Sequence, residues 1–77
     1  MDVAVVFISK DEPAAEMRQV LSSLPGVQNL PATLDVCRSF QVLRVPALIV
    51  YSKTSEDMHE TARAFGDKHV LDLARQL

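Results

Sequence analysis

Few residues in this 77-residue chain could do chemistry, and their spacing narrows the choice further. Cys37 is the only cysteine, so no internal disulfide can form. A nucleophilic thiol needs a neighbouring His or Lys to favour the thiolate, and none lies close to Cys37 in sequence. Its place beside Val36 and Phe40 at helical spacing makes it a small core hydrophobe. His59 and His69 fall on different elements and share no cysteine or carboxylate motif, so no metal ligand set is expected. Ser9 and Tyr51 carry hydroxyls near the strand ends, with no activating base in view. Asp11, Glu12 and Glu16 cluster ahead of a helix. Helix-dipole and capping interactions account for them, and a secondary role is an acidic rim for a basic partner. No catalytic residue, metal or cofactor is expected.

The elements that must position these side chains follow from the apolar pattern. Val3 to Ile8 is a continuous β-branched and apolar run, the mark of a strand buried on both faces. Ala14, Met17, Val20, Leu21 and Leu24 then recur at helical spacing, with Ser9 or Asp11 as the expected cap and Pro25-Gly26 as the stop. Val27 to Leu30 is a short strand. Thr33 or Asp35 caps a second helix that turns Val36, Cys37 and Phe40 inward. Ala47 to Tyr51 is a second doubly buried strand. Between Ser55 and Phe65 the local pattern slightly favours a helix. Read as a strand, the segment sets Met58, Glu60, Ala62 and Ala64 against Thr61, Arg63 and Phe65. Asp67 is expected to cap a last helix with Val70, Leu71, Ala74 and Leu77 on its apolar stripe. Alternating strands and helices imply parallel pairing through right-handed crossovers, with Val3–Ile8 and Ala47–Tyr51 adjacent and parallel.

Composition excludes several functions. Hydrophobic residues make up 48% and charged residues 23%, ordinary for a globular domain. Residues 1–77 make a single domain, whose size leaves a core burying only roughly 60% of the unfolded surface. The formal net charge is −2, and the eight Lys and Arg are scattered, which argues against nucleic acid. The apolar run at Val3–Ile8 is too short for a signal segment or a membrane span. The expectation is a cytoplasmic protein if the chain is full length, with no membrane contact. Its expected partner is another protein, and a homodimer is compatible with the chain.

The stretch Phe40-Gln41-Val42-Leu43-Arg44-Val45-Pro46 and the apolar strand after it resemble the cis-proline strand of thioredoxins. There an aromatic ends a helix and a V-x-x-[IV]-P segment leads into the strand. Phe65-Gly66, followed by a helix ending in Leu, is similar to the thioredoxin C-terminus, and the first strand–helix unit matches more loosely. The resemblance implies an α/β fold of order β-α-β-α-β-β-α, a four-stranded mixed sheet with helices on both faces. It turns Ser55–Phe65 into a strand paired with Ala47–Tyr51 and implies a cis Val45–Pro46 bond. It also implies a peptide- or protein-binding edge at Val45 and Pro46, with Asp11 and Glu12 beside it. The chain departs from thioredoxins at the junction Ser9-Lys10-Asp11-Glu12-Pro13-Ala14-Ala15, which lacks the C-x-x-C pair of dithiol chemistry. Gln41 also stands where a glycine is usual. Leu34–Tyr51 resembles the F-type conjugative-pilus assembly family, and the first unit and Phe65-Gly66-Asp67 are similar to the circadian-clock KaiB family. The implied function is a non-catalytic protein-interaction module on a degenerate thioredoxin-like scaffold, serving as an assembly or regulatory subunit. The alternatives are a monothiol or glutathione-linked enzyme and a conjugative-transfer assembly component.

Overall fold

The apolar run near the N-terminus forms strand β1, Asp2–Ser9, in a computed structural model that describes residues 2–24, 26–54 and 56–77. Helix α1, Ala15–Ser22, leads to strand β2, Val27–Pro31, and helix α2, Leu34–Phe40, leads to strand β3, Ala47–Lys53. Strand β4, Met58–Phe65, and helix α3, Asp67–Gln76, complete an α/β fold of order β-α-β-α-β-β-α. Ser55 and Pro25, at the start of the ambiguous segment and in the expected helix stop, lie outside the described residues.

The four strands make one mixed sheet in the order β2-β1-β3-β4. β1 and β2 are parallel, as the crossover through α1 requires. β1 and β3 are adjacent but antiparallel, with Ile8 opposite Ala47 and Val5 opposite Val50, which corrects the parallel pairing expected from the strand–helix alternation. The reason lies in α2. Its seven residues span only about 10 Å. β3 therefore starts at the end of the sheet where β2 stopped, since Ile8 is opposite both Leu30 and Ala47.

Alternate residues of β1 and β3 feed two cores, which is why their sequence is apolar throughout. Val5, Phe7 and Leu48 pack with Met17 and Leu21 of α1 and Val70 and Ala74 of α3 on one face. Val6, Ile8, Ala47 and Ile49 pack on the other face with Val42, and Val36, Cys37 and Phe40 of α2 close over them. Leu73 joins the first cluster, whereas Leu77 is 46% exposed and falls off the expected stripe.

The helix ends show where local signals prevailed. Thr33 caps α2, its Oγ1 accepting from the Val36 N–H at 3.2 Å. At the far end Gln41 takes the left-handed conformation, φ 56°. The Gln41 and Val42 N–H groups donate to the Arg38 and Cys37 carbonyls at 3.2 and 2.8 Å, closing a Schellman motif. α1 begins later than expected, at Ala15 with Ala14 as its N-cap, so neither Ser9 nor Asp11 caps it. α3 takes Gly66, φ 86°, as N-cap, and Asp67 is instead its first-turn acid.

Candidate functional site

β1 ends at Ser9, and the loop Lys10–Ala14 carries the chain to α1. β3 begins at Ala47, opposite Ile8, so the preceding Val45 and Pro46 lie beside that loop. A cleft of about 720 Å³ opens between them and the start of α3. Asp11, Glu12, Val45 and Pro46 all line it. The antiparallel direction of β3 is what gathers them. Parallel pairing would have placed Pro46 at the opposite end of β1 from Asp11. Val45 and Pro46 are half-buried, the Val45–Pro46 peptide is cis, and Asp11 and Glu12 are exposed. The Gly66 N–H donates to the Pro46 carbonyl at 2.9 Å, fixing this wall to the turn before α3.

The cleft has an apolar interior and a rim of both charges. Phe7 and Met17 form its inner side, and Pro13 and Leu71 extend it outward. Lys10, Asp11, Asp67 and Lys68 stand on the rim with no ion-pair partner among the described residues. The other rim acids are engaged: Glu12 accepts from Arg18 at 2.8 Å, and Glu16 accepts from Arg75, joining α1 to α3. The sequence reading missed Phe7, Met17 and Leu71. Their apolar periodicity marked them as core, and only the placement of α1 and α3 shows that the same side chains also line an opening.

The remaining sequence candidates are dispersed. Cys37 is half-buried in the α2 core on the other side of the sheet from α1 and α3. Ser9 lines the cleft, but Tyr51 packs on the α2 face, so the two hydroxyls considered together are separated by the sheet. His59 and His69 are exposed on β4 and α3. Among the described residues no three His, Cys, Asp or Glu side chains converge as a metal site would require. No helix among them is long and apolar enough to cross a membrane.

A second polar cluster surrounds Tyr51. A β-bulge in the β3–β4 register sets Tyr51 opposite Glu60 rather than Thr61, while Val50 faces Ala62. The strict alternation read for this strand is thereby broken, and Glu60 joins Arg63 and Phe65 on the α2 face. Arg63 Nε and Nη2 donate to the two Glu60 oxygens at 2.8 and 2.6 Å, and Nη1 donates to the Gln41 carbonyl at 3.0 Å. The guanidinium also lies 5.8 Å from the Phe65 ring centroid. The hydrogen bonds from Arg63 hold the Glu60 carboxyl below its ordinary range. Partial burial, and then the Glu60 charge, push the Tyr51 phenol up.

Comparison of the chain with protein-family models, with curated proteins and with solved structures finds no match.

Proposed function

We propose that the chain is a non-catalytic protein-interaction module on a degenerate thioredoxin-like scaffold, acting as an assembly or regulatory subunit. It takes an extended segment of a protein partner in the cleft beside Val45 and Pro46. The observation that carries this reading is the convergence of Asp11, Glu12, Val45 and Pro46 on one open, largely apolar cleft. An apolar partner side chain fits against Phe7, Met17 and Leu71, and polar groups beside it meet a rim of both signs. The cleft contains no cysteine, and Cys37 lies across the sheet from it, which favours binding over monothiol or glutathione-linked chemistry.

The test is selection from a random-peptide phage library, followed by NMR mapping of the selected peptides on the isotope-labelled full chain. Shifts concentrated at Lys10–Ala14, Val45 and Asp67–Leu71, lost in Leu71→Arg, support the reading. Peptides that map elsewhere, or glutathione-linked turnover by the same protein, would overturn it.

A further inference from the structure

β2 is an outer strand of the sheet, with β1 as its one neighbour among the described residues. One bond fixes the direction of its backbone groups: the Ala32 N–H donates to the Ser9 carbonyl of β1 at 3.1 Å. The N–H and C=O of a strand residue point to the same side, and the side alternates along the chain. Gln28 and Leu30 therefore turn their backbone groups to β1, and Val27, Asn29 and Pro31 turn theirs outward. Pro31 has no N–H to offer, and its carbonyl already accepts from the Thr33 N–H at 2.9 Å. The free edge is thus the donors and acceptors of Val27 and Asn29.

Charge, proline and bulges are what keep a sheet edge from pairing with another strand. β4, the opposite edge, has the bulge beside Tyr51 and carries Glu60 and Arg63. β2, Val27-Gln28-Asn29-Leu30-Pro31, has no charged residue and pairs with β1 without a register shift. Its proline stands at the end, where it shortens the free stretch without blocking it.

We infer that the β2 edge is a self-association site, where a second copy of this chain adds its own β2 antiparallel about a two-fold axis at Gln28. Val27 of each copy then faces Asn29 of the other as a hydrogen-bonded pair. Four N–H···O bonds form, and every outward group of these two residues is used. Centring on Asn29 instead would set the Val27 carbonyl against Pro31, which has no donor. A second copy also ends its strand where this edge requires it. Its chain has turned away at Gly26, φ 68°, before it reaches Pro31, whereas a longer unrelated strand would run onto that proline and its engaged carbonyl. At the axis the exposed Gln28 meets its own copy in a close, non-hydrogen-bonded pair. A primary amide carries both donor and acceptor and so pairs with itself, as a Lys or Glu there would not. The edge is separate from Val45 and Pro46 and stands whether or not the cleft binds a peptide.

The experiment is analytical ultracentrifugation of the full chain over a concentration series, with amide hydrogen exchange by NMR at both ends of the series. A monomer–dimer equilibrium is expected. The Val27 and Asn29 amides should slow as concentration rises, while Gln28 and Leu30, which face β1, are slow throughout. Gln28→Lys sets two like charges opposite each other and should weaken the dimer about fivefold. Asn29→Pro removes an outward N–H without touching the bonds to β1, and should weaken it at least about tenfold. His59→Lys, on the other edge, should leave it unchanged. Circular dichroism checks the fold of each variant, and Gln28→Lys, which alters only an exposed side chain, decides the matter if Asn29→Pro does not fold. A monomer up to about 1 mM, protection that grows along β4 instead, or a dimer unaffected by Gln28→Lys would each overturn the inference.

Discussion

Glu60 and Arg63 lie three residues apart on one strand and yet face each other, carboxylate to guanidinium, at 2.6 Å. In a regular strand such residues point to opposite faces. The bulge that sets Glu60 opposite Tyr51 supplies the extra residue and reverses the parity. Arg63 also reaches the Gln41 carbonyl, so the pair ties the end of α2 to the edge of the sheet. Arg63→Ala should lower the urea unfolding free energy by about 1–2 kcal/mol. A double-mutant cycle with Glu60→Gln should show the two changes to be less than additive. Deleting Thr61 removes the extra residue and leaves Glu60 and Arg63 two positions apart on a regular strand, so the pair should keep its shared face and the deletion should cost less than losing Arg63.

The same pair sets a pH dependence. Glu60 has its carboxyl lowered by Arg63, so its contribution is present above the ordinary carboxylate range and is lost as pH falls through its folded value. The stability gap between wild type and Glu60→Gln should close on acidification. Tyr51 has its phenol raised, so its neutral form favours the fold below the ordinary tyrosine range, and that advantage is lost as pH rises through the folded value. Tyr51→Phe should gain on wild type in alkaline solution. Denaturant midpoints across pH check both, and curves that stay parallel at both extremes would refute them.

The ends of α2 offer opposite outcomes. Thr33→Ala removes the side-chain acceptor for the Val36 N–H and should cost about 1 kcal/mol. Gln41→Gly relieves a left-handed residue carrying a Cβ and should add up to about 1 kcal/mol. Thermal unfolding of the two variants should therefore move in opposite directions.

Cys37 packs in the α2 core rather than at the cleft. Cys37→Ala should retain partner binding and lose about 1 kcal/mol of stability. Cys37→Ser should lose more, because its hydroxyl enters a site built from apolar neighbours. Neither the wild type nor Cys37→Ala should reduce insulin. Turnover in the wild type that disappears in Cys37→Ala would instead make the thiol a nucleophile.

The element order was legible because β1 and β3 are buried on both faces, and their unbroken apolar runs advertise it. Those runs carry no information about direction. The reversal of β3 came from the short reach of α2, a property of the whole path between strands. β4 was ambiguous because the bulge at Thr61 interrupts its alternation, and pairing with β3 decided what local propensity could not. The cleft was partly legible: Asp11 and Glu12 stand out as a loop cluster and Val45-Pro46 as a strand entrance. Their proximity depends on the antiparallel register, so the residues were visible before the geometry that unites them.

The central position of β1 also governs how the fold must assemble. Its partners on either side come from later in the chain, and Val5 meets Val50 only after a long loop has closed. β1 and α1 can form local structure early, but the doubly buried strand has no second neighbour until β3 arrives. Closing that loop costs entropy before any of the shared core returns it. Core substitutions at the β1–β3 seam, such as Ile8→Val or Ile49→Val, are therefore expected to slow folding, whereas changes at the outer edge of β4 act mainly on the unfolding rate.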